Sequence, residues 1–389
     1  MTLRVRTTEG AAAAGAPLGI EPARPPTGTG RLESVGLGPF ELDDGTTLPG
    51  LTVAYRHDGP SPGEAPQALV IHALTGSADA AGDWWEPLIG PGRALDTKRV
   101  GVVAANLLGG RYGSTGPTSI DPRTGRPYGA TFPAVSTRDQ ARAQWRLLDV
   151  LGIDRLDLVV GGSLGGMVAL EVALGRPDAV RTVMPIAAPA ATGPMAVAWN
   201  HIQVSLIDRL GLHGLALARQ LAMTTYRSEA DFDDRFGGSV EPDGRPSILS
   251  YLEHQGRKLV ERFDPLTYKI LAGAMDRHDI GVGRGGLDGA LRRLEGGGTR
   301  LIGVGIADDI LYGPRQVLEL VDGARGVGVD AHYRQIDSTK GHDAFLVEWD
   351  QLTVLVREAL SSPSSPVGSI AVVRGTRRGS RAVPFAPRP

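Results

Sequence analysis

The stretch Gly161-Gly162-Ser163-Leu164-Gly165-Gly166-Met167 decides the fold of this chain of 389 residues. A largely apolar run at residues 156–160 precedes it and another at 168–174 follows, which predicts a strand, a sharp turn and a helix. The glycines on both sides of Ser163 let the strand and the helix approach each other closely. The pattern G-x-S-x-G at such a turn is typical of a nucleophile elbow, which exposes the serine hydroxyl for attack.

The composition limits the classes of protein that this chain can belong to. Hydrophobic residues make up 41% of it, which is enough for a sizeable core, and the net charge is −2. A chain without a strong positive field is not expected to bind nucleic acid or an anionic membrane. The absence of cysteine excludes disulfides, thiolate catalysis and cysteine-ligated zinc. Because no apolar stretch approaches the roughly 20 residues of a membrane span, and none resembles a secretory signal, we expect a cytoplasmic protein.

Strand-like and helix-like runs alternate along most of the chain, which predicts a mostly parallel sheet flanked by helices. Together with the elbow, this indicates an α/β-hydrolase fold with an inserted helical cap over the carboxyl ends of the strands. We predict a flexible leader at 1–32, a catalytic domain at 33–189 and 300–360, a helical cap at 190–299 and a flexible basic tail at 361–389. The predicted strands are 51–55, 68–73, 100–105, 156–160, 182–186, 300–305 and 332–336.

A serine hydroxyl needs a base, which is usually a histidine oriented by a carboxylate, and in this fold the chain order is serine, acid, histidine. Of the eight histidines, His342 lies in a predicted loop between the last strand and the last helix, where the base of this fold belongs. Asp308 and Asp309 follow the preceding predicted strand, and the residues alone leave both open as the acid. For the oxyanion hole we predict the N–H groups of Leu164, directly after the nucleophile, and Leu74, directly after an early strand.

Two other motifs do not support a bound group. Residues 281–286 fit G-x-G-x-x-G but follow a helical segment, so the context for a dinucleotide site is missing. Asp276-Arg277-His278-Asp279 has no second histidine at ligand spacing, and we predict no metal site.

Short motifs occur in a fixed order over about residues 37–360. They are HALTG at 72–76, NLLGG at 106–110, GSTGP at 113–117, PYG at 127–129, the elbow, LAR at 217–219, TYR at 225–227, SYL at 250–252, RFD at 262–264, RGG at 284–286, DILY at 309–312 and GHD at 341–343. In the sequence and order of these motifs the chain resembles the homoserine O-acetyltransferases, which are α/β-hydrolase-fold acyltransferases of methionine biosynthesis.

This resemblance implies a role for several residues. It selects Asp309 rather than Asp308 as the acid, and it implies that Arg219 binds the carboxylate of an amino-acid acceptor and Asp343 its ammonium group. A zwitterion needs one partner of each charge, and arginine binds carboxylates through two parallel hydrogen bonds. Further pocket residues implied in the same way are Tyr226, Thr75 and Tyr251.

The activity implied is a ping-pong acetyl transfer from acetyl-CoA to the hydroxyl of L-homoserine through an acyl-serine. Acetyl-CoA is then a co-substrate, no cofactor is permanently bound, and the expected assembly is a homodimer. The same machinery could serve L-serine as the acceptor or succinyl-CoA as the donor. A plain ester hydrolase and a non-catalytic binding module on the same fold are the remaining alternatives.

Overall fold

The computed structural model describes residues 29–361. Its strands are β1 (Thr29–Glu41), β2 (Thr47–Asp58), β3 (Gln67–Ile71), β4 (Gly101–Ala105), β5 (Ile120–Asp121), β6 (Arg126–Pro127), β7 (Leu158–Gly162), β8 (Thr182–Ile186), β9 (Arg300–Ile306) and β10 (Ala331–Ile336). Its helices are α1 (Thr137–Leu151), α2 (Leu164–Gly175), α3 (Pro194–Leu210), α4 (Leu212–Tyr226), α5 (Glu229–Phe236), α6 (Ser247–Val260), α7 (Pro265–Asp276), α8 (Gly286–Gly297), α9 (Pro314–Gly326) and α10 (Trp349–Leu360).

The main sheet has eight strands in the order β1-β2-β4-β3-β7-β8-β9-β10, and β5 pairs separately with β6. The β1–β2 and β2–β4 pairs are antiparallel, and the other pairs of the main sheet are parallel. Every residue of β3, β4, β7 and β8 is buried, which explains why these strands read as nearly continuous apolar runs. This mostly parallel sheet between helices confirms the predicted fold class.

Helices cover both faces of the sheet. On one face α1, α2, α8 and α9 bury apolar side chains such as Trp145, Val168 and Leu291. On the other face α10 packs together with the segment 80–95, whose Trp85 is fully buried. The sheet therefore lies between two apolar layers, and only its loop edges remain for binding and chemistry.

Helix α1 shows how local sequence signals set the ends of an element. Ser136 Oγ accepts from the Asp139 N–H at 3.0 Å and Asp139 Oδ2 accepts from the Ser136 N–H at 2.9 Å, which is a reciprocal capping box. At the other end Gly152 has a φ of 72°, a left-handed conformation that ends the helix. The helix accordingly occupies the predicted residues 137–151.

The structure differs from the sequence prediction at one edge of the sheet. Strand β1 begins at Thr29, inside the segment 1–32 for which we predicted a flexible leader, and Leu32 pairs with Arg56 of β2. The register shifts between Gly36 and Gly38 and again after Gly38, so β1 lacks the regular alternation that identifies a strand from sequence. The rest of the predicted leader, and residues 362–389 of the predicted tail, lie outside the described residues.

Five helices, α3 to α7, follow β8 and pack on one another before α8 and β9 continue the sheet. They include the predicted helical pieces, together with α5, which was not predicted. The division of the chain into a catalytic domain and a cap stays a prediction, and here "cap" denotes helices α3 to α7. Among residues 29–361, no helix combines the length and the hydropathy that crossing a bilayer requires.

Candidate active site

Ser163 lies at the turn between β7 and α2 with a φ of 57°, a conformation that non-glycine residues rarely adopt. Its N–H donates to the Ile186 carbonyl of the adjacent strand at 2.9 Å, which holds the turn against the sheet. The neighbouring glycines are sterically required: a Cβ on Gly165 would lie 2.2 Å from the Ile71 carbonyl oxygen, and one on Gly162 would lie 2.5 Å from the Phe345 ring. The sequence G-G-S-L-G-G therefore folds as the sharp elbow that it predicts.

The candidate acid and base come from the loops after β9 and β10. Asp309 Oδ2 lies 2.7 Å from His342 Nδ1, while Asp309 Oδ1 accepts the N–H groups of Leu311 and Tyr312 at 2.8 and 3.1 Å. Both side chains of the pair are buried, whereas Asp308 is exposed. The structure thus brings Asp309 to His342 and leaves Asp308 outside.

The electrostatics of the pair suit a general base. Burial by itself lowers the pKa of His342, but the charge and hydrogen bond of Asp309 outweigh burial and raise it above the ordinary imidazole value. His342 Nε2 is buried and has no hydrogen-bond partner in the described part of the chain. Because Nδ1 faces the carboxylate, Nε2 is the nitrogen left to take a proton from a serine.

Aromatic rings fix the orientation of the imidazole. The His342 ring centroid lies 5.6 Å from that of Phe345, 5.7 Å from Tyr312 and 5.8 Å from Tyr226. Phe345 also contacts Gly162 beneath the elbow, and its carbonyl accepts from the Trp85 indole at 2.9 Å. The 3₁₀ turn Gly341–Leu346 therefore carries the base to the elbow by packing on it.

The loop after β3 supplies the second predicted oxyanion donor. Gly165 is packed against Ile71 and His72, so this loop, residues 72–78, runs beside the elbow. His72 Nδ1 lies 2.7 Å from the Ala73 carbonyl and its Nε2 accepts the Leu107 N–H at 3.1 Å. Burial lowers the pKa of His72 to about 4, so the ring is neutral and holds the loop as a fixed hydrogen-bonding bridge. Neither the Leu74 nor the Leu164 N–H donates to an acceptor within residues 29–361.

Helix α4 of the cap brings Arg219 and Tyr226, two turns apart on one face, to the base. The Arg219 guanidinium carbon lies 5.3 Å from the Tyr226 ring centroid, and Arg219 forms no ion pair with a carboxylate of residues 29–361. A cavity of about 720 Å³ extends from Arg219 to Thr75 and the rest of the loop after β3. Its size is within the usual range for small-molecule sites.

Asp343, the residue after His342, forms an ion pair within the protein, whereas the resemblance implies that it binds the ammonium group of the acceptor. Its Oδ2 lies 3.1 Å from Arg227 Nε, so its charge is already shared with a cap arginine. Burial raises the pKa of Asp343, and the charges of Arg227 and Arg219 oppose that rise. The charges of two cap arginines therefore act on Asp343, the residue next to His342.

Tyr251 lies in an aromatic cluster of the cap. Its ring packs against Phe232 and Phe236, and Arg235 lies 4.5 Å from its centroid. These neighbours belong to helices α5 and α6, and the implied place of Tyr251 in the pocket stays a prediction.

Sequence reasoning missed the residues that join the cap to the base loop. Lys340 Nζ lies 2.6 Å from Asp231 Oδ1, Ser228 Oγ donates to the Thr339 carbonyl, and Arg227 pairs with Asp343. These partners are about 110 residues apart in sequence. The signal for Arg227 was the TYR motif at 225–227, in which the resemblance gave a role to Tyr226 but none to Arg227.

A serine at this elbow beside a buried histidine–aspartate pair is the arrangement of α/β-hydrolase-fold enzymes, and the family model described as "alpha/beta hydrolase fold" matches residues 69–210. Homoserine O-acetyltransferase of Moorella thermoacetica is 43% identical over 351 residues, which cover 82% of this chain and 93% of the relative. The chain belongs to the homoserine O-acetyltransferase family, and it is an acyltransferase.

Solved structures agree with this assignment of the fold. A homoserine O-acetyltransferase from Bacillus anthracis has a TM-score of 0.78 at 25% identity, covering 85% of this chain and 98% of that one. Esterase E22 has the same TM-score at 23% identity, covering 85% of this chain and all of that one, and this likeness concerns the fold alone. Within residues 29–361 no group of histidine and acidic side chains could hold a metal ion.

Proposed function

We propose that this enzyme transfers an acetyl group from acetyl-CoA to the hydroxyl of L-homoserine and so supplies O-acetyl-L-homoserine to methionine biosynthesis. The observation that carries the proposal is the buried His342, whose Nδ1 faces Asp309 at 2.7 Å and whose Nε2 has no partner among the described residues. The names of the relatives support homoserine as the acceptor and acetyl as the group transferred.

In the first half-reaction Ser163 Oγ attacks the thioester carbonyl while its proton passes to His342 Nε2. The Leu74 and Leu164 N–H groups stabilise the oxyanion, and preorganised donors of this kind are each worth about 10²–10³ in rate. When the tetrahedral intermediate collapses, the C–S bond breaks and His342 returns the proton to the departing sulfur. Free CoA leaves, and Ser163 carries the acetyl group as an ester.

In the second half-reaction the homoserine hydroxyl gives its proton to His342 and attacks the acetyl carbonyl of Ser163. Collapse of the second intermediate breaks the bond to Ser163, which regains the proton from His342. Throughout, Asp309 holds the imidazole in one tautomer and stabilises its cation. No cofactor is needed in these steps, because acetyl-CoA brings its own activated bond.

Selection of an amino-acid acceptor is assigned to Arg219 and Asp343. Arg219 has a guanidinium without a carboxylate partner in residues 29–361, which suits it to the acceptor carboxylate. Asp343 retains one oxygen for the ammonium group beside its ion pair with Arg227. A simple esterase has no need for a cation and an anion placed together at its base. Tyr226 and Thr75, which lie at the base and at the cavity, complete the proposed pocket.

The test is the release of free thiol from acetyl-CoA, measured with L-homoserine, L-serine or no acceptor. We expect release that depends on homoserine, an acetylated Ser163 peptide detectable by mass spectrometry when the acceptor is left out, and loss of both in Ser163→Ala. Thermal unfolding of the variant, compared with that of the wild type, verifies that the fold is retained.

Each other result contradicts a defined part of the proposal. Preference for serine changes the acceptor, and release only from succinyl-CoA changes the donor. Equal release without any acceptor makes the enzyme a thioester hydrolase. Turnover by Ser163→Ala rejects the nucleophile, and lack of labelling of the wild-type serine by a fluorophosphonate points to a non-catalytic binding module.

We also propose that the enzyme works in the cytoplasm as a homodimer formed through the cap. Helix α3 exposes Met195, Ile202 and Leu210, and Leu212 continues this apolar surface at the start of α4. Exposed apolar side chains on neighbouring helices favour association with a second copy. Light scattering should give twice the mass of one chain for the wild type, and Ile202→Lys should lower it towards one chain; a monomeric wild type rejects the dimer.

A further inference from the structure

Arg262, two residues after the end of α6, connects the cap to the loop after β3. Its Nη1 donates to the Thr75 carbonyl at 2.7 Å, and its Nη2 lies 3.4 Å from Thr75 Oγ1. Thr75 directly follows Leu74, whose N–H is the proposed oxyanion donor. A side chain of the cap therefore holds the residue next to this donor.

Tyr112 forms the second contact of Arg262. The Tyr112 hydroxyl donates to the Arg262 carbonyl at 3.1 Å and lies 3.2 Å from Arg262 Nη1. Tyr112 itself has a φ of 64°, a conformation that costs a non-glycine residue energy and persists where surrounding contacts impose it. Its carbonyl accepts from Asn106 Nδ2 at 2.7 Å, and Asn106 Oδ1 accepts the Ala78 N–H at 2.7 Å. The loop is thus held at its middle by Arg262 and at its end by Asn106.

The charge of Arg262 is not used in an ion pair within the described residues. Arg56, another arginine of the same cavity, pairs with Asp58 and Asp79. The hydrogen bonds of Arg262, in contrast, go to a carbonyl and to hydroxyl groups. A hydrogen bond with one charged partner is stronger than a neutral one, which suits a contact that keeps a loop in one position.

We propose that Arg262 is a positioning residue for acyl transfer, which fixes the Leu74 N–H by holding Thr75 from the cap. This inference rests on the proposed function, in which the Leu74 N–H stabilises the oxyanion. Because the oxyanion forms in both half-reactions, loosening the loop slows acylation and deacylation alike. Preorganisation within about 0.5 Å is what gives such a donor its value.

The competing role for Arg262 is to bind the phosphates of CoA, since it lines the cavity. The two roles predict different kinetics. A positioning residue changes kcat with every donor, whereas a phosphate-binding residue changes KM for acetyl-CoA alone. Acetyl-pantetheine separates them, because it carries the same thioester without the nucleotide.

The experiment compares Arg262→Met, Arg262→Lys and the control Arg257→Met with the wild type. Arg257 belongs to the last turn of α6, five residues before Arg262, and it is not among the residues that line the cavity. We expect Arg262→Met to lower kcat at least about tenfold with both acyl donors. The loss should stay below the roughly 10³-fold that removal of an oxyanion N–H group costs. Arg262→Lys keeps one donor group and should recover part of this loss, and Arg257→Met should resemble the wild type.

Three results would overturn the inference. The first is a higher KM for acetyl-CoA with unchanged turnover of acetyl-pantetheine, which assigns Arg262 to the phosphates. The second is unchanged kinetics with both donors. The third is an equal loss in Arg257→Met, which indicates a general effect on α6. If Arg262→Met does not fold, Tyr112→Phe removes a contact of the same network and should lower kcat with both donors; unchanged kcat in this variant also rejects the inference. Activity of Ser163→Ala, in contrast, would reject the proposed function itself.

Discussion

Replacement of Asp309 by asparagine tests the central pair of the site with little change in shape. The asparagine Oδ1 can still accept the N–H groups of Leu311 and Tyr312, so the loop after β9 keeps both of its hydrogen bonds. The asparagine amide, however, places an N–H donor where Oδ2 now lies 2.7 Å from His342 Nδ1. The imidazole must then carry its proton on Nε2, and it cannot accept the proton of Ser163.

The size of the effect follows from this change of tautomer. In enzymes with a serine–histidine–aspartate arrangement the same substitution lowers kcat about 10⁴-fold, which corresponds to ~5.4 kcal/mol of transition-state stabilisation. The lost charged hydrogen bond is worth about 1.5–3 kcal/mol of folding free energy. We therefore expect Asp309→Asn to remain folded and to lose about four orders of magnitude in turnover.

The assay is thiol release from acetyl-CoA with saturating homoserine, together with chemical denaturation of each variant. Asp308→Asn is the matched control, because Asp308 is the preceding residue of the same loop and is exposed. It should retain wild-type turnover. Turnover of Asp309→Asn within tenfold of the wild type would refute the reasoning, and a severe loss in Asp308→Asn instead would transfer the role to that residue.

Three further predictions concern pH, acceptor binding and packing. Protonated His342 cannot act as a base, and the pKa of this histidine is raised. As the pH is lowered, kcat/KM should therefore fall with a midpoint above the usual imidazole pKa of about 6.5. A midpoint below that pKa would contradict the effect assigned to the Asp309 carboxylate. Arg219→Met and Asp343→Asn should each raise KM for homoserine at least about tenfold while acylation of the nucleophile by acetyl-CoA continues, as burst kinetics would measure; unchanged KM rejects the zwitterion site. Gly165→Ala should lower the free energy of unfolding by about 3 kcal/mol or more, because the added Cβ would clash with the Ile71 carbonyl at the end of β3. Gly175→Ala in the same helix has room for a Cβ and should change the free energy of unfolding little. Equal losses in denaturant titrations would argue against the close approach at Gly165.

The fold could be predicted from sequence where local signals and burial agree. The strands β3, β4, β7 and β8 are wholly buried, so their composition is largely apolar, and the elbow glycines identify a strand–helix crossing that has no room for side chains. Helix α8 was not predicted because GLDGALRRLEGG has four glycines, which are poor helix formers. It forms because Ala290, Leu291 and Leu294 pack into the core.

Of the candidate site, too, only a part could be predicted from the sequence. Ser163 and His342 could be placed from the elbow and from the chain order. Between Asp308 and Asp309 the residues alone gave no decision, because both follow the same strand. The pocket role of Tyr251 came from resemblance alone, and no local signal indicated its packing with Phe232 and Phe236.

The sequence by itself determined the class of fold and predicted a nucleophile and a base, because these depend on steric room at a turn, helix capping and the order of elements along the chain. The tertiary structure decided which aspartate meets His342, which arginine neutralises Asp343 and which cap residue holds Thr75. Those contacts join residues from about 30 to nearly 190 positions apart. Distances of this kind are set by how the sheet, the cap and the loops pack together, and no local pattern in the sequence encodes them.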